Sequence, residues 1–112
     1  MNMHYQAPEP VDREEAARIL AGTDVRRIQE TIINLAFSGH DRAWVEEQAL
    51  RLTEHPDPGV RGIAATALGH LATFHGYVSP LVWRALARLL EDPQTRGQAK
   101  TALDDLHHAI PR

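Results

Sequence analysis

Apolar residues recur along the chain at spacings of three and four, which places them on one face of an α-helix. A short series of this kind consists of Val45, Ala49 and Leu52, and the longest consists of Val60, Ala64, Ala67, Leu68 and Leu71. No stretch shows the alternation of apolar and polar residues that a half-buried strand requires. The pattern therefore predicts an all-α protein.

Capping residues, prolines and glycines divide this pattern into six helices. Asp-Pro and Ser-Pro pairs are informative because the first residue caps the helix and proline is tolerated at its first position. The predicted starts are Asp12, Thr23 or Asp24, Asp41, Asp57-Pro58, Ser79-Pro80 and Asp92-Pro93. The predicted ends lie near Gly22, Phe37 before Ser38-Gly39, His55-Pro56, His75, Leu90 and Ile110.

The sequence also matches itself at an interval of 35 residues, which aligns Arg26 with Arg61 and Arg96. Further columns pair Asp57-Pro58 with Asp92-Pro93, Ala64 with Ala99, Ala67-Leu68 with Ala102-Leu103, and Leu71 with Leu106. A repeat of this length that holds two short helices is typical of α-solenoids, in which each unit buries its apolar face against its neighbours. We therefore predict an α-α superhelix of three helix pairs.

This pattern divides the chain into two parts. Residues 1–11, which contain Pro8 and Pro10, are predicted to form a flexible N-terminal arm. Residues 12–112 are predicted to form a single domain with repeats at about 12–38, 41–76 and 79–110. A chain of 112 residues is long enough for one modest core, but too short for two independent ones.

Composition narrows the classes of function. A net charge of -3 and a pI near 6.1 argue against a nucleic-acid binder, which normally carries clustered Lys and Arg. No apolar run is long enough for a membrane span, and the first residues lack the pattern of a signal peptide. With no cysteine in the chain, these observations lead us to expect a cytoplasmic protein.

The segment Asp57-Pro58-Gly59-Val60-Arg61, followed by Ala64, Ala67-Leu68 and Leu71, resembles the second-helix motif of HEAT repeats. Asp92-Pro93 with Arg96, Ala99, Ala102-Leu103 and Leu106 resembles it again. The first unit departs from the motif, with Gly22 at the aspartate position and Gln29 at an alanine position. The resemblance implies a protein-interaction scaffold. It extends to small bacterial HEAT-like proteins, some of them immunity proteins of polymorphic or contact-dependent toxins.

In HEAT-like proteins the second helices line a concave binding face. Away from their apolar stripes, the predicted second helices carry small and polar residues, including Gly62, Gly69 and Gly97. We predict that a partner contacts Arg27, Thr31, Asn34, Thr66, His70, Thr73, Thr101, Asp104, Asp105 and His108. The alternative is that these residues form an ordinary solvated helix face.

The aligned arginines have a structural interpretation as well. The resemblance implies that the motif's aspartate and arginine pair within or between repeats, and the i, i+4 spacing of Asp57 with Arg61 permits a direct pair. Asp92 and Arg96 have the same spacing. Trp44 is predicted to pack between repeats, and so is Trp83, with an exposed interface position as the alternative.

No catalytic residue, cofactor site or metal site is predicted. The chain has seven histidines, but no His-x-x-x-His or Cys pair that would begin a zinc site. The two serines, Ser38 and Ser79, lie at helix boundaries, and no Gly-x-Ser-x-Gly motif or phosphate-binding loop is present.

We therefore expect a non-catalytic protein-binding module, a monomer or weak dimer, that binds neither nucleic acid nor membrane. The resemblance suggests an immunity protein that neutralises a toxin domain. The alternatives are a general scaffold or adaptor protein and a lyase-like HEAT protein.

Overall fold

The computed structural model describes residues 12–38 and 41–111, which form six α-helices and no strand. The helices are α1 (Arg13–Leu20), α2 (Val25–Phe37), α3 (Arg42–Leu52), α4 (Pro58–His75), α5 (Pro80–Leu90) and α6 (Arg96–Ala109). The all-α prediction is thus confirmed. The predicted N-terminal arm, residues 1–11, lies outside the described residues, and so does Gly39. No helix in the described part is both long and apolar enough to cross a bilayer.

Four helices begin at an aspartate, as predicted, because the carboxylate accepts a hydrogen bond from a free backbone amide of the first turn. At α4 the Asp57 carboxylate accepts from the Val60 amide at 3.0 Å, and Pro58 occupies the first helical position. Asp12, Asp24 and Asp41 cap α1, α2 and α3 in the same way. Helix α4 ends at Gly76, whose φ of 69° lies in the left-handed region that favours glycine.

The prediction that Asp92-Pro93 begins the sixth helix is wrong. Helix α6 begins at Arg96, and the residue at its cap position is Thr95. The Asp92 carboxylate instead accepts from the amide of Gln94 and closes a turn. Thr95 is fully buried, and its hydroxyl donates to the carbonyl of Leu89 at 2.8 Å. These contacts hold the segment in a turn until Thr95.

The helices pack in two layers. Helices α2, α4 and α6 lie side by side, with α4 in the middle, and each is packed by the helix that precedes it in the chain. Helix α4 is the most buried because it contacts both neighbours. Leu68 and Ala64 are fully buried there. Burying a leucine side chain stabilises the fold by about 1.5–3 kcal/mol, and alanine allows the flanking helices to approach closely.

Arg61 and Arg96 anchor loops rather than pair at i, i+4 with Asp57 and Asp92. Arg61 donates to the carbonyl of His55 and, at 3.0 Å, to the carboxylate of Asp92, which is an aspartate–arginine pair between the predicted repeats, as the resemblance implied. Arg96 donates to the carbonyl of Leu90, six residues before it, which repeats the Arg61–His55 spacing. Arg26, the third arginine of the column, is exposed and pairs with Glu30.

Candidate protein-binding surface

The polar side of α4 is partly covered by α6, which corrects the expectation of an open surface of small residues. Gly62 and Gly69 are both buried. A Cβ on Gly69 would lie 2.8 Å from the Asp105 carboxylate and 3.2 Å from the Ala102 Cα. A Cβ on Gly62 would lie 3.0 Å from the side chain of Gln98. These glycines serve the contact between α4 and α6, and they are not available to a partner.

Three of the predicted contact residues remain accessible on α4. Thr73 is exposed, whereas Thr66 and His70 are half-buried. The Thr66 hydroxyl donates to the carbonyl of Gly62 at 3.3 Å, which turns it back onto its own helix. Because these three residues are spaced four and three apart, they share one side of α4.

Helix α6 continues this surface with four predicted residues at spacings of three, one and three. Thr101, Asp104 and His108 are exposed, and Asp105 is half-buried beside Gly69 of α4. The His108 Nδ1 donates to the carbonyl of Asp104 at 2.8 Å, which fixes the ring on the last turn of the helix. We define the α4–α6 face as Thr66, His70, Thr73, Thr101, Asp104, Asp105 and His108.

The predicted residues of α2 do not all join this face. The Gln29 side chain reaches α4, since its Nε2 would lie 2.7 Å from a Cβ on Gly59. Arg27 and Thr31 are each two residues from Gln29, so they lie about 200° around the helix from it. Arg27 instead lines an open cleft of about 330 Å³ at the turn between α1 and α2, with Arg18 among its neighbours. Asn34 is exposed.

Sequence reasoning missed an aromatic patch, which we define as Phe37, His70 and Phe74. Phe37 is 54% exposed and Phe74 is 61% exposed, at the C-terminal ends of α2 and α4. The centroids of the Phe37 and His70 rings are 4.3 Å apart. Phe37 lies half a turn around α2 from the buried Ile28, so helical spacing could have predicted that Phe37 is exposed. Phe74 lies at the edge of the apolar stripe of α4, where spacing does not distinguish packing from exposure.

The two tryptophans are half-buried and pack against the core. The guanidinium of Arg13 lies 4.7 Å from the Trp44 ring centroid. The Trp83 ring meets the ring of His107 edge-on, with centroids 5.1 Å apart. Each tryptophan thus contacts a neighbouring helix. The Trp44 ring contact lies between two predicted repeats, whereas the Trp83 ring contact lies within the third.

No three His, Asp or Glu side chains within 12–38 and 41–111 converge as a metal-binding group. The clearest perturbed group is Asp92, in an inter-helix contact. Its pKa lies below the ordinary 3.8, chiefly because the Gln94 amide donates to the carboxylate and Arg61 pairs with it, while partial burial opposes the change.

Comparisons with known proteins find a similar chain in a solved complex. No protein-family model matches the chain, and no curated protein sequence matches it. A similar solved chain occurs in the crystal structure of a CDI complex from Cupriavidus taiwanensis. The two chains are 25% identical and superpose with a TM-score of 0.81, over 96% of this chain and 98% of the other.

Proposed function

We propose that this chain is an immunity protein, which binds the toxin domain of a contact-dependent inhibition system and neutralises it without catalysing a reaction. The observation that carries the proposal is the similarity to a chain of a CDI complex over nearly the full length of both chains. A likeness that spans whole chains favours a shared role more than a likeness confined to a few helices, although function depends on the site rather than on the fold.

The proposed fold is a three-repeat HEAT-like superhelix formed by residues 12–112. Its support is the 35-residue repeat together with the central row of α2, α4 and α6. A row of packed second helices presents a continuous surface to a partner, and a preorganised surface loses little entropy on binding.

The proposed binding surface is the α4–α6 face. It places the carboxylates of Asp104 and Asp105 beside uncharged threonine hydroxyls. A carboxylate pair at one end favours a partner with basic residues, since complementary charge increases the rate of association and limits the choice of partners.

Coexpression tests the proposal. The gene for this chain is placed with the C-terminal domain of a large secreted protein encoded beside it in the genome. We expect that domain to arrest growth when expressed alone, and coexpression of this chain to restore growth through a stable 1:1 complex. If no such neighbour exists, or if the chain neither binds nor neutralises it, the proposal is wrong.

A further inference from the structure

The aromatic patch is exposed, and its side chains come from two packed helices. Phe37 and Phe74 project from the last turns of two helices that pack against each other. His70 lies between them because it stacks on Phe37 and precedes Phe74 by one helical turn. Exposed aromatic side chains on a rigid support are typical of binding hot spots, since they bury a large area at low entropic cost.

Ion pairs at the start of α3, the helix that follows Phe37 in the chain, already engage its charged side chains. The Asp41 carboxylate at the cap of α3 lies 3.6 Å from the guanidinium of Arg13. Arg42 in the first turn lies 2.6 Å from the buried carboxylate of Glu46, and its guanidinium stacks on Tyr77, three residues after Phe74. These paired side chains offer little counter-charge to a charged partner segment or to an anionic lipid.

The patch also adjoins the surface proposed for binding. His70 belongs to both the patch and the α4–α6 face, so one partner can cover the two together. The opposite part of that face carries Asp104 and Asp105. The combined surface thus has an apolar part at one end and an acidic part on α6.

We propose that the aromatic patch is the anchor of the toxin complex and receives an uncharged apolar side chain, such as Leu, Met or Phe, that protrudes from the toxin domain. This inference rests on the proposed immunity function and specifies the chemistry of its partner. The toxin surface that fits has a protruding apolar residue flanked by basic residues, with the basic part facing Asp104 and Asp105.

The experiment measures the affinity of the full chain for the C-terminal domain of the neighbouring secreted protein, by isothermal titration calorimetry. Phe37→Ala and Phe74→Ala are compared with Leu81→Ala. Leu81 is the matched control because its side chain is 56% exposed but lies on α5, at the cleft formed with Leu50 and Arg84. Thermal unfolding verifies that each variant folds, which we expect because the deleted side chains are more than half exposed.

We expect each phenylalanine variant to bind on the order of tenfold more weakly, and Leu81→Ala to bind like the original chain. If the original chain binds but the phenylalanine variants bind equally well, the inference is wrong and the immunity function stands. If the original chain does not bind, the proposed function itself fails.

The inference would also be wrong if something other than a toxin side chain covers the aromatic patch. A second copy of this chain is indicated if Phe74→Ala converts a dimer to a monomer in sedimentation without changing toxin affinity. The chain's own residues 1–11 are indicated if deleting them strengthens toxin binding only when Phe37 and Phe74 are present.

Discussion

The carboxylate of Glu46 in α3 accepts a hydrogen bond from the backbone amide of Ser79, 33 residues later, at 2.9 Å. Glu46 is only 6% exposed, and the same oxygen receives the guanidinium of Arg42. The contact joins the second turn of α3 to the residue that caps α5. The hydroxyl of Ser79 does not serve as the cap, so the carboxylate of a neighbouring helix orients the start of α5 instead.

We predict that Glu46→Ala lowers the free energy of unfolding by about 2–4 kcal/mol, because it leaves the largely buried Arg42 without its counter-charge and the Ser79 amide without its acceptor. Glu46→Gln keeps an oxygen acceptor and should cost less. Glu47→Ala is the control, since its ion pair with Arg51 is exposed and should be worth under about 1 kcal/mol. Urea unfolding measures all three, and equal losses at Glu46 and Glu47 would refute the role of the buried contact.

Two glycines on neighbouring helices should respond oppositely to the same substitution. At Gly69 a Cβ would press against Ala102 and Asp105 of α6, so Gly69→Ala should cost about 1–3 kcal/mol as α4 and α6 are pushed apart. At Gly97 no atom lies within 4 Å of the added Cβ, so Gly97→Ala should stabilise the fold by about 0.5–1 kcal/mol through helix propensity. Thermal unfolding distinguishes them, and a shift of the same sign in both would contradict the close contact at Gly69.

Arg61 connects the segment before α4 to the segment before α6, and its removal should weaken their attachment. The guanidinium donates to the carbonyls of His55 and Pro56 and to the carboxylate of Asp92. We expect Arg61→Ala to lower the free energy of unfolding by about 1–3 kcal/mol at neutral pH. Arg26→Ala is the matched control because Arg26 occupies the same repeat column but is 85% exposed and, in the described part of the chain, pairs with Glu30. A comparable loss at both positions in urea unfolding would show that the loop contacts contribute little.

The lowered pKa of Asp92 makes part of this stability dependent on pH. A carboxyl group whose pKa is lower in the folded state stabilises the fold above its ordinary value of 3.8. That contribution is lost as the pH falls below 3.8 and through the folded-state pKa. Asp92→Asn should therefore unfold at a lower temperature than the original chain at neutral pH, and the difference should shrink in acid. Glu91→Gln controls for the loss of a nearby exposed carboxylate, and a temperature difference at Asp92 that is constant with pH would contradict the assignment.

The sequence predicted the first five helix starts because their capping signals are local. At Asp57-Pro58 the aspartate and proline are enough to define a helix start. The same pair at Asp92-Pro93 failed because Arg61, a residue 31 positions away, holds the Asp92 carboxylate, and the hydroxyl of the buried Thr95 donates to the carbonyl of Leu89. The residues near Asp92 in the sequence do not indicate that Arg61 is its partner.

The surroundings of the α4–α6 face were predicted only in part, for a similar reason. Helical spacing correctly grouped Thr66 with Thr73 on one side of α4. It did not reveal that Gln98 and Asp105 of α6 cover the glycines between them, because that depends on how two helices pack. Spacing likewise could not show that Arg27 lies away from α4.

The acidic part of the α4–α6 face leads to a prediction about the rate of toxin binding. Asp104 is exposed on α6, so Asp104→Lys changes the surface charge without disturbing the core. If the toxin domain presents basic residues to this face, the substitution should slow association on the order of tenfold at low salt, and added salt should reduce the difference by screening. Glu47→Lys makes the same change of charge on α3, outside the face, and should have a smaller effect. Surface plasmon resonance across a salt series measures both rates. Equal slowing by the two variants would mean that only net charge matters, and it would argue against a toxin contact at Asp104.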